Sequence, residues 1–161
     1  MTACWRTPTL FEARPQSIFS WDYAIQDQGR IISQLDLSVF RERATFSIQG
    51  QDFEIHRQGL MAGSFLLTQH GQTIVDAQKP SFLTRRFVVN IGNTTYDFRV
   101  PSIFSRSMVL YDQRRHVGTI SRAGLFSRRA IVDLPNEIDP PVQIFLLFLT
   151  VILWKRQSRS S

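Results

Sequence analysis

The stretch IFLLFLTVILWKR, residues 144–156, is the most hydrophobic part of the chain and lies close to its end. All but two residues from Val142 to Trp154 are apolar, so no polar stripe runs along this segment. Two prolines at 140–141 suit the first turn of a helix, and the basic pair that closes the stretch complements the negative end of a helix dipole. The pattern predicts a helix over about 140–156 that is surrounded by apolar material on every side.

Lipid or protein could surround such a helix. The thirteen residues 142–154 span about 20 Å as a helix, against about 30 Å for the hydrocarbon core of a bilayer. A helix lying on a membrane surface needs a polar face, which this one lacks. We expect a core helix, and a C-terminal membrane anchor remains the alternative.

The rest of the chain favours β-structure, because apolar residues alternate with polar ones and turn residues separate the runs. We count about twelve short strands, most of them joined by tight turns, for example at Asp27–Gly29. The inward positions that define them are a first run near Leu10–Ala13, then Phe19/Trp21/Tyr23/Ile25, Ile31/Leu35/Leu37, Phe46/Ile48, Phe53/Ile55, Phe65/Leu67, Ile74, Phe87/Val89/Ile91, Tyr96/Phe98/Val100, Met108/Leu110, Val117–Ile120 and Ala130–Val132.

An internal repeat relates residues 46–89 to residues 87–132 at an offset of about 42 positions. Each copy begins with a Phe-led strand and closes on Phe followed by an arginine pair. This offset is typical of a propeller blade, but the chain has room for fewer than the four blades that a propeller needs. We therefore interpret the repeat as strand hairpins within one closed sheet.

Twelve tilted strands form a cylinder about 23–26 Å across, which leaves space for one central helix. We therefore predict a mainly β protein, a closed barrel of about twelve mostly antiparallel strands around one buried hydrophobic C-terminal α-helix. The prediction is a single domain over 1–161, with strands over about 8–132, the helix over about 140–156 and short flexible ends.

The net charge of +6 is unevenly distributed along the sequence. Residues 1–80 carry 7 basic and 8 acidic residues, whereas residues 81–161 carry 12 and 5. Arginine prevails among the basic residues, and its planar fork suits phosphate, although charged strand ends also simply prevent aggregation. The candidate ligands for a phosphate or lipid headgroup are the arginine pairs Arg85-Arg86, Arg114-Arg115 and Arg128-Arg129.

The sequence carries no motif for catalysis, a cofactor or a metal. The single cysteine, Cys4, excludes an internal disulfide and fits a reducing compartment. His56, His70 and His116 do not have the spacing of zinc ligands, and nucleophile-elbow, phosphate-loop and dinucleotide motifs do not occur. We expect no enzyme activity, no cofactor and no metal.

The strand WDYAIQDQGRII (21–32), the repeated strand units, the linker VDLPNEIDPP (132–141) and the ending LWKR (153–156) together resemble the tubby C-terminal-like superfamily. The nearest branches are the LURP-one-related and phospholipid-scramblase-like proteins, and the resemblance spans about residues 10–156. It implies a twelve-stranded barrel around a central C-terminal helix. It also implies phosphoinositide binding through basic surface residues and association with membranes.

Calcium is associated with some scramblase-like members of this superfamily. The acidic residues before the predicted helix are Asp133, Glu137 and Asp139, and their spacing is not that of an EF-hand loop. We expect them to support the start of the helix rather than to bind calcium.

These observations lead to a non-enzymatic binding or scaffold domain as the expected function. Its expected partner is an anionic phospholipid surface or a protein, and its expected location is the cytoplasm, peripheral to a membrane. The alternative is a C-terminally tail-anchored membrane protein with a scramblase-like role. Nucleic acid is disfavoured, because the sequence has no recognition helix and no aromatic stacking motif.

Overall fold

The computed structural model describes residues 10–38, 41–59, 63–81 and 83–159. Twelve strands precede a single helix in this part of the chain. They are β1 (Phe11–Pro15), β2 (Tyr23–Asp27), β3 (Arg30–Ser38), β4 (Arg43–Ile48), β5 (Gln51–Gln58), β6 (Ser64–Gln69), β7 (Gln72–Gln78), β8 (Arg86–Ile91), β9 (Thr94–Arg99), β10 (Met108–Asp112), β11 (Arg115–Arg122), β12 (Ala130–Asp133) and α1 (Pro140–Arg159).

The strands form one closed barrel in which each strand pairs antiparallel with its neighbours in sequence. The first strand closes the sheet by pairing with the last, with Phe11 opposite Val132 and Ala13 opposite Ala130. The predicted barrel of twelve antiparallel strands is therefore confirmed. Closure leaves the barrel without the unpaired edges that invite aggregation.

Two-residue turns join several of the strand pairs. Gln28 and Gly29 connect β2 to β3 with φ angles of 49° and 80°. A turn with positive φ at both central residues matches the right-handed twist of the strands it joins, and glycine adopts that conformation without strain. The turn predicted at Asp27–Gly29 is confirmed.

The helix α1 occupies the interior of the barrel. Every residue from Val142 to Lys155 is buried, so the helix has no face towards solvent. Inward-facing strand residues surround it, and the ring of Phe148 meets that of Phe65 edge-on at 5.6 Å between centroids. The prediction of a core helix is confirmed, and the helix ends three residues later than predicted, at Arg159.

Two of the three buried polar residues of the helix, Thr150 and Gln143, donate hydrogen bonds to nearby carbonyls, whereas the side-chain oxygen of Gln143 has no partner among the described residues. Thr150 donates its hydroxyl to the carbonyl of Leu146 at 2.9 Å, and Gln143 donates its amide to the carbonyl of Ile138 at 2.8 Å. Within the described residues, no helix combines the length and the apolar character required to cross a bilayer.

Each copy of the 42-residue repeat corresponds to two consecutive hairpins. Its first copy runs through β4–β7 and its second through β8–β11. Because all of these strands belong to the same closed sheet, the propeller interpretation is wrong and the hairpin interpretation is confirmed.

Three predicted inward positions are wrong: Phe19, Ile31 and Ile74, the last of which is 41% exposed beside a shift in the register of β6 and β7. Phe19 is 91% exposed, because β2 begins only at Tyr23 and residues 17–20 form a turn. Ile31 is 55% exposed although it is in phase with the buried Leu35, because the register of β2 and β3 shifts beside it and places it at the barrel rim. A bulge of this kind is not visible in an alternating pattern.

Candidate functional site

The connections of the barrel alternate between its two ends, because consecutive strands are antiparallel. One end carries six longer connections, and we name it the long-loop end. It comprises connections 16–22, 39–42, 59–63, 79–85, 100–107 and 123–129, the strand residues that flank them, and the last turn of the helix, 154–159. The opposite, turn end comprises connections 28–29, 49–50, 70–71, 92–93, 113–114 and 134–139 with their flanking residues.

Contacts of the helix terminus fix its position at the long-loop end. The indole Nε1 of Trp154 donates to the carbonyl of Arg106 at 2.8 Å. The guanidinium of Arg156 donates to Glu42 at 2.7 Å, and Glu42 also accepts from Arg57 at 3.1 Å. The basic C-terminus of the helix therefore joins the basic connections at the same end.

The charges of the described residues divide sharply between the two ends. The turn end has three basic residues (Arg30, Arg114, Arg115) and five acidic ones (Asp27, Asp112, Asp133, Glu137, Asp139). The long-loop end has only two acidic residues, Asp22 and Glu42. Its thirteen basic residues are Arg41, Arg43, Lys79, Arg85, Arg86, Arg99, Arg106, Arg122, Arg128, Arg129, Lys155, Arg156 and Arg159.

A cavity of about 570 Å³ opens at the long-loop end, and we name it the arginine pocket. Arg85, Arg106 and Arg122 converge on it from three different segments of the chain. Among the described residues that line it, none is acidic. The rest of its lining consists of Ile103, Phe104, Ser105, Trp154, Gln157 and Ser158.

Arg122 is the most deeply held cation of the arginine pocket. Its guanidinium lies over the ring of Trp154, 4.6 Å from the centroid, in a cation–π contact. Burial lowers the pKa of Arg122, and the nearby positive charge of Arg106 lowers it further. Among the described residues, the buried Nε of Arg122 has no hydrogen-bond acceptor. An anion in the pocket would relieve the repulsion between the two arginines and add acceptors for their free N–H groups.

The other two arginines of the pocket are oriented by neighbouring groups. Arg106 donates one N–H to the carbonyl of Leu125 at 2.9 Å. With the side-chain oxygen of Gln157 directed at Arg85, this oxygen accepts a hydrogen bond from the Arg85 guanidinium at 2.9 Å. Each guanidinium has five N–H groups in a fixed fork, so these contacts orient the side chain while other donors remain for an anion.

The structure separates the six arginines proposed from the sequence. Arg85, Arg86, Arg128 and Arg129 lie at the long-loop end, whereas the pair Arg114-Arg115 lies at the turn end. Arg86 forms an ion pair with Asp97 at 2.5 Å, and Arg115 forms one with Asp112 at 3.5 Å.

Arg128 and Arg129 differ in their surroundings although they are neighbours in sequence. The guanidinium of Arg128 donates to the carbonyls of Ser17 and Ser20 at 2.6 and 2.9 Å and lies over the ring of Trp21. It therefore holds two connections together. The buried Nε of Arg129 has no hydrogen-bond partner among the described residues.

Sequence reasoning missed Arg106 and Arg122, because it searched for paired arginines and these two are single. The signal that identifies them is topological. Arg106 lies in a connection at the same end of the antiparallel meander as that of Arg85, and Arg122 is the strand residue next to another such connection.

Two further lysines contribute to this end from partly enclosed positions. Burial lowers the pKa of Lys79, and the adjacent Arg156 adds to the effect. Burial likewise lowers the pKa of Lys155, with a further contribution from Arg159. Both shifts reflect first the burial of the ammonium groups and second the crowding of like charges at one surface.

Metal ligands do not assemble in the described part of the chain, where no group of three His, Cys, Asp or Glu side chains comes together. Cys4 lies outside the described residues. Comparisons of the chain with protein-family models, with curated proteins and with solved structures found no match.

Proposed function

We propose that this protein is a non-enzymatic binding module whose long-loop end docks on anionic phospholipid headgroups at a membrane surface. The observation that carries the proposal is the segregation of charge: among the described residues, thirteen basic and two acidic residues lie at that end, against three and five at the other. We further propose that the chain belongs to the tubby C-terminal-like superfamily. The twelve-stranded barrel around a C-terminal helix supports this relationship.

This distribution of charge would both attract the protein to an anionic membrane and orient it there. A Lys or Arg near an anionic membrane contributes about 1 kcal/mol, and the contribution decays within a Debye length of about 8 Å at physiological salt. Because the turn end is acidic on balance, the same field repels it. The protein would therefore meet the membrane with its long-loop end first.

The arginine pocket adds a specific binding site for a phosphate group to the general electrostatic attraction. Arg85, Arg106 and Arg122 surround a cavity large enough for a phosphate group, and each can donate two parallel hydrogen bonds to it. We propose the cytoplasmic face of a membrane as the location, because anionic lipids are concentrated there.

Co-sedimentation with vesicles tests the proposal. We expect the protein to sediment with phosphatidylcholine vesicles that contain phosphatidylserine and to remain in solution with pure phosphatidylcholine. The double variant R85Q/R106Q should bind the anionic vesicles about 30-fold more weakly, at about 1 kcal/mol per arginine.

The matched control is R114Q/R115Q, which removes the same charge from the turn end and should change affinity by much less. Equal sedimentation of the wild-type protein with neutral and anionic vesicles at low salt would contradict the proposal. Equal losses in the two double variants would also contradict it, because net charge rather than the long-loop end would then control binding.

A further inference from the structure

Large apolar side chains project into solvent from the long-loop end. The most exposed are Phe19, Phe104 and Phe126, at 91%, 90% and 97%. Isolated exposed apolar residues are ordinary on protein surfaces, but a concentration of them at one end indicates an interaction surface. Four others at the same end are between 76% and 80% exposed: Ile18, Leu83, Ile103 and Leu125.

These residues share one local structure. They occupy the central positions of four tight turns with the sequences SIFS (17–20), SFLT (81–84), SIFS (102–105) and GLFS (124–127), which we name the apolar turns. In the last three, the N–H of the fourth residue donates to the carbonyl of the first, at 3.0 to 3.3 Å. In the first, it donates to the hydroxyl of Ser17 at 3.1 Å. Phe82, in the second turn, lies outside the described residues.

The seven described residues at the central positions of these turns project outward. Turns usually carry Gly, Asn, Asp, Pro or Ser, which supply the required backbone angles or local hydrogen bonds. Here Ser, Thr or Gly occupies the outer positions and apolar residues occupy the central ones. The same sequence pattern recurs in all four turns.

Two arginines link three of the apolar turns to one another. Arg128 binds the turn at 17–20 through the carbonyls of Ser17 and Ser20, at 2.6 and 2.9 Å. Arg106 binds the turn at 124–127 through the carbonyl of Leu125, at 2.9 Å, and follows directly after the turn at 102–105. The connections concerned are neighbours around the barrel, because β1 pairs with β12. These three apolar turns are thus fixed relative to one another before any partner binds, which lowers the entropic cost of binding.

The basic charge around the apolar turns indicates which partner binds them. Thirteen basic residues share this end with the apolar turns. A second copy of the chain would bring two such ends together, and their like charges would repel. A bilayer with anionic headgroups offers negative charge at its surface and hydrocarbon directly below. Because the hydrocarbon is fluid, it can accommodate several separate apolar turns at once.

We propose that the apolar turns insert their side chains beneath the headgroups of an anionic bilayer, with the arginines at headgroup level. The inference rests on the proposed function and adds to it a hydrophobic component of binding. Salt screens the attraction of the arginines but leaves this component in place.

Vesicle binding at two salt concentrations separates the two components. We expect the wild-type protein to bind anionic vesicles at low salt and to remain partly bound in 1 M NaCl, where the Debye length is about 3 Å. The variant F19S/F126S should still bind at low salt, but in 1 M NaCl its affinity should fall by about 30-fold or more relative to wild type. The matched control I31S/I74S alters two exposed apolar strand residues close to the turn end and should bind like wild type.

Several outcomes would overturn the inference. If salt releases wild type and F19S/F126S equally while low-salt binding still depends on Arg85 and Arg106, insertion is wrong and the proposed function stands. If wild type fails to bind anionic vesicles at low salt, the proposed function fails as well. A dimer in solution that F19S/F126S dissociates would assign the apolar turns to a second copy of the chain instead.

A depth probe gives an independent readout. In a Cys4→Ser background, an environment-sensitive fluorophore attached at Phe126→Cys should shift to the blue on vesicle binding and be quenched by lipids that carry a quencher in the acyl chain. The same label at Ile31→Cys should show neither change. An unshifted spectrum at position 126 in vesicle-bound protein would overturn the inference.

Discussion

Tyr23 illustrates how a single buried residue couples the core to the long-loop end. Its side chain is fully buried at the inner face of β2, and its hydroxyl donates to the carbonyl of Arg128 at 3.1 Å. Burial raises the pKa of Tyr23 to about 12, although the charges of Arg128 and Arg122 act in the opposite direction. The hydroxyl therefore stays protonated in the folded protein well above the pH at which it ionises in the unfolded chain.

This shift predicts a specific loss of stability at high pH. Because the folded pKa is raised, the contribution of Tyr23 is complete below pH 10 and declines as the pH rises towards 12. By pH 12 the wild-type protein should lose about 2 kcal/mol of unfolding free energy relative to Y23F. Urea denaturation of both proteins between pH 9 and pH 12 measures the difference. The lowered pKa values of Lys79 and Lys155 affect both proteins alike, so parallel stability curves would contradict the assignment.

Two glycines show which requirements for a particular residue can be predicted from sequence. Gly71 and Gly118 are both required, for different reasons. Gly71 lies in a tight turn with a φ of 76°. Gly118 lies within β11, where a Cβ would come 2.6 Å from the carbonyl oxygen of Asp133. A turn glycine can be inferred from its neighbours in sequence, whereas a close approach between distant segments requires the fold.

At the scale of the element, the helix was predictable because composition alone determined its surroundings. A helix without a polar stripe must be enclosed, and the twelve-stranded barrel encloses it. Strand bounds were less predictable. The run FSWDYAI alternates well enough to suggest a strand from Phe19, yet the turn at 17–20 delays β2 until Tyr23.

Two phenylalanines provide a direct test of the core helix. Phe148 is fully buried against Phe65, whereas Phe126 is 97% exposed. F148A should lower the unfolding free energy by about 3–5 kcal/mol, because it removes a core ring and leaves a cavity. F126A should change it by less than about 0.5 kcal/mol. Urea denaturation followed by circular dichroism measures both, and similar values for the two variants would mean that the helix is not the core of the barrel.

At the scale of the whole molecule, the sequence showed an excess of positive charge in its second half, but the folded protein divides its charge by end rather than by half. In an up-and-down barrel, alternate connections share an end. Counting connections thus groups Arg85 with Arg106, Arg122 and Arg128, and it assigns Arg114 and Arg115 to the other end. The selection of arginine pairs from the sequence did not consider which connections share an end. The arginine pocket itself requires three-dimensional packing, since α1 supplies Trp154, Gln157 and Ser158 to its lining.

The central claim is that one end of the barrel faces an anionic membrane. The most direct measurement is paramagnetic broadening of amide resonances in isotope-labelled protein mixed with anionic nanodiscs that contain a small fraction of gadolinium-chelating lipid. We predict broadening concentrated in residues 16–22, 79–85, 100–107 and 123–129, with the turns at 28–29, 70–71 and 113–114 unaffected. Broadening concentrated at the turn end, or spread evenly over both ends, would contradict the account.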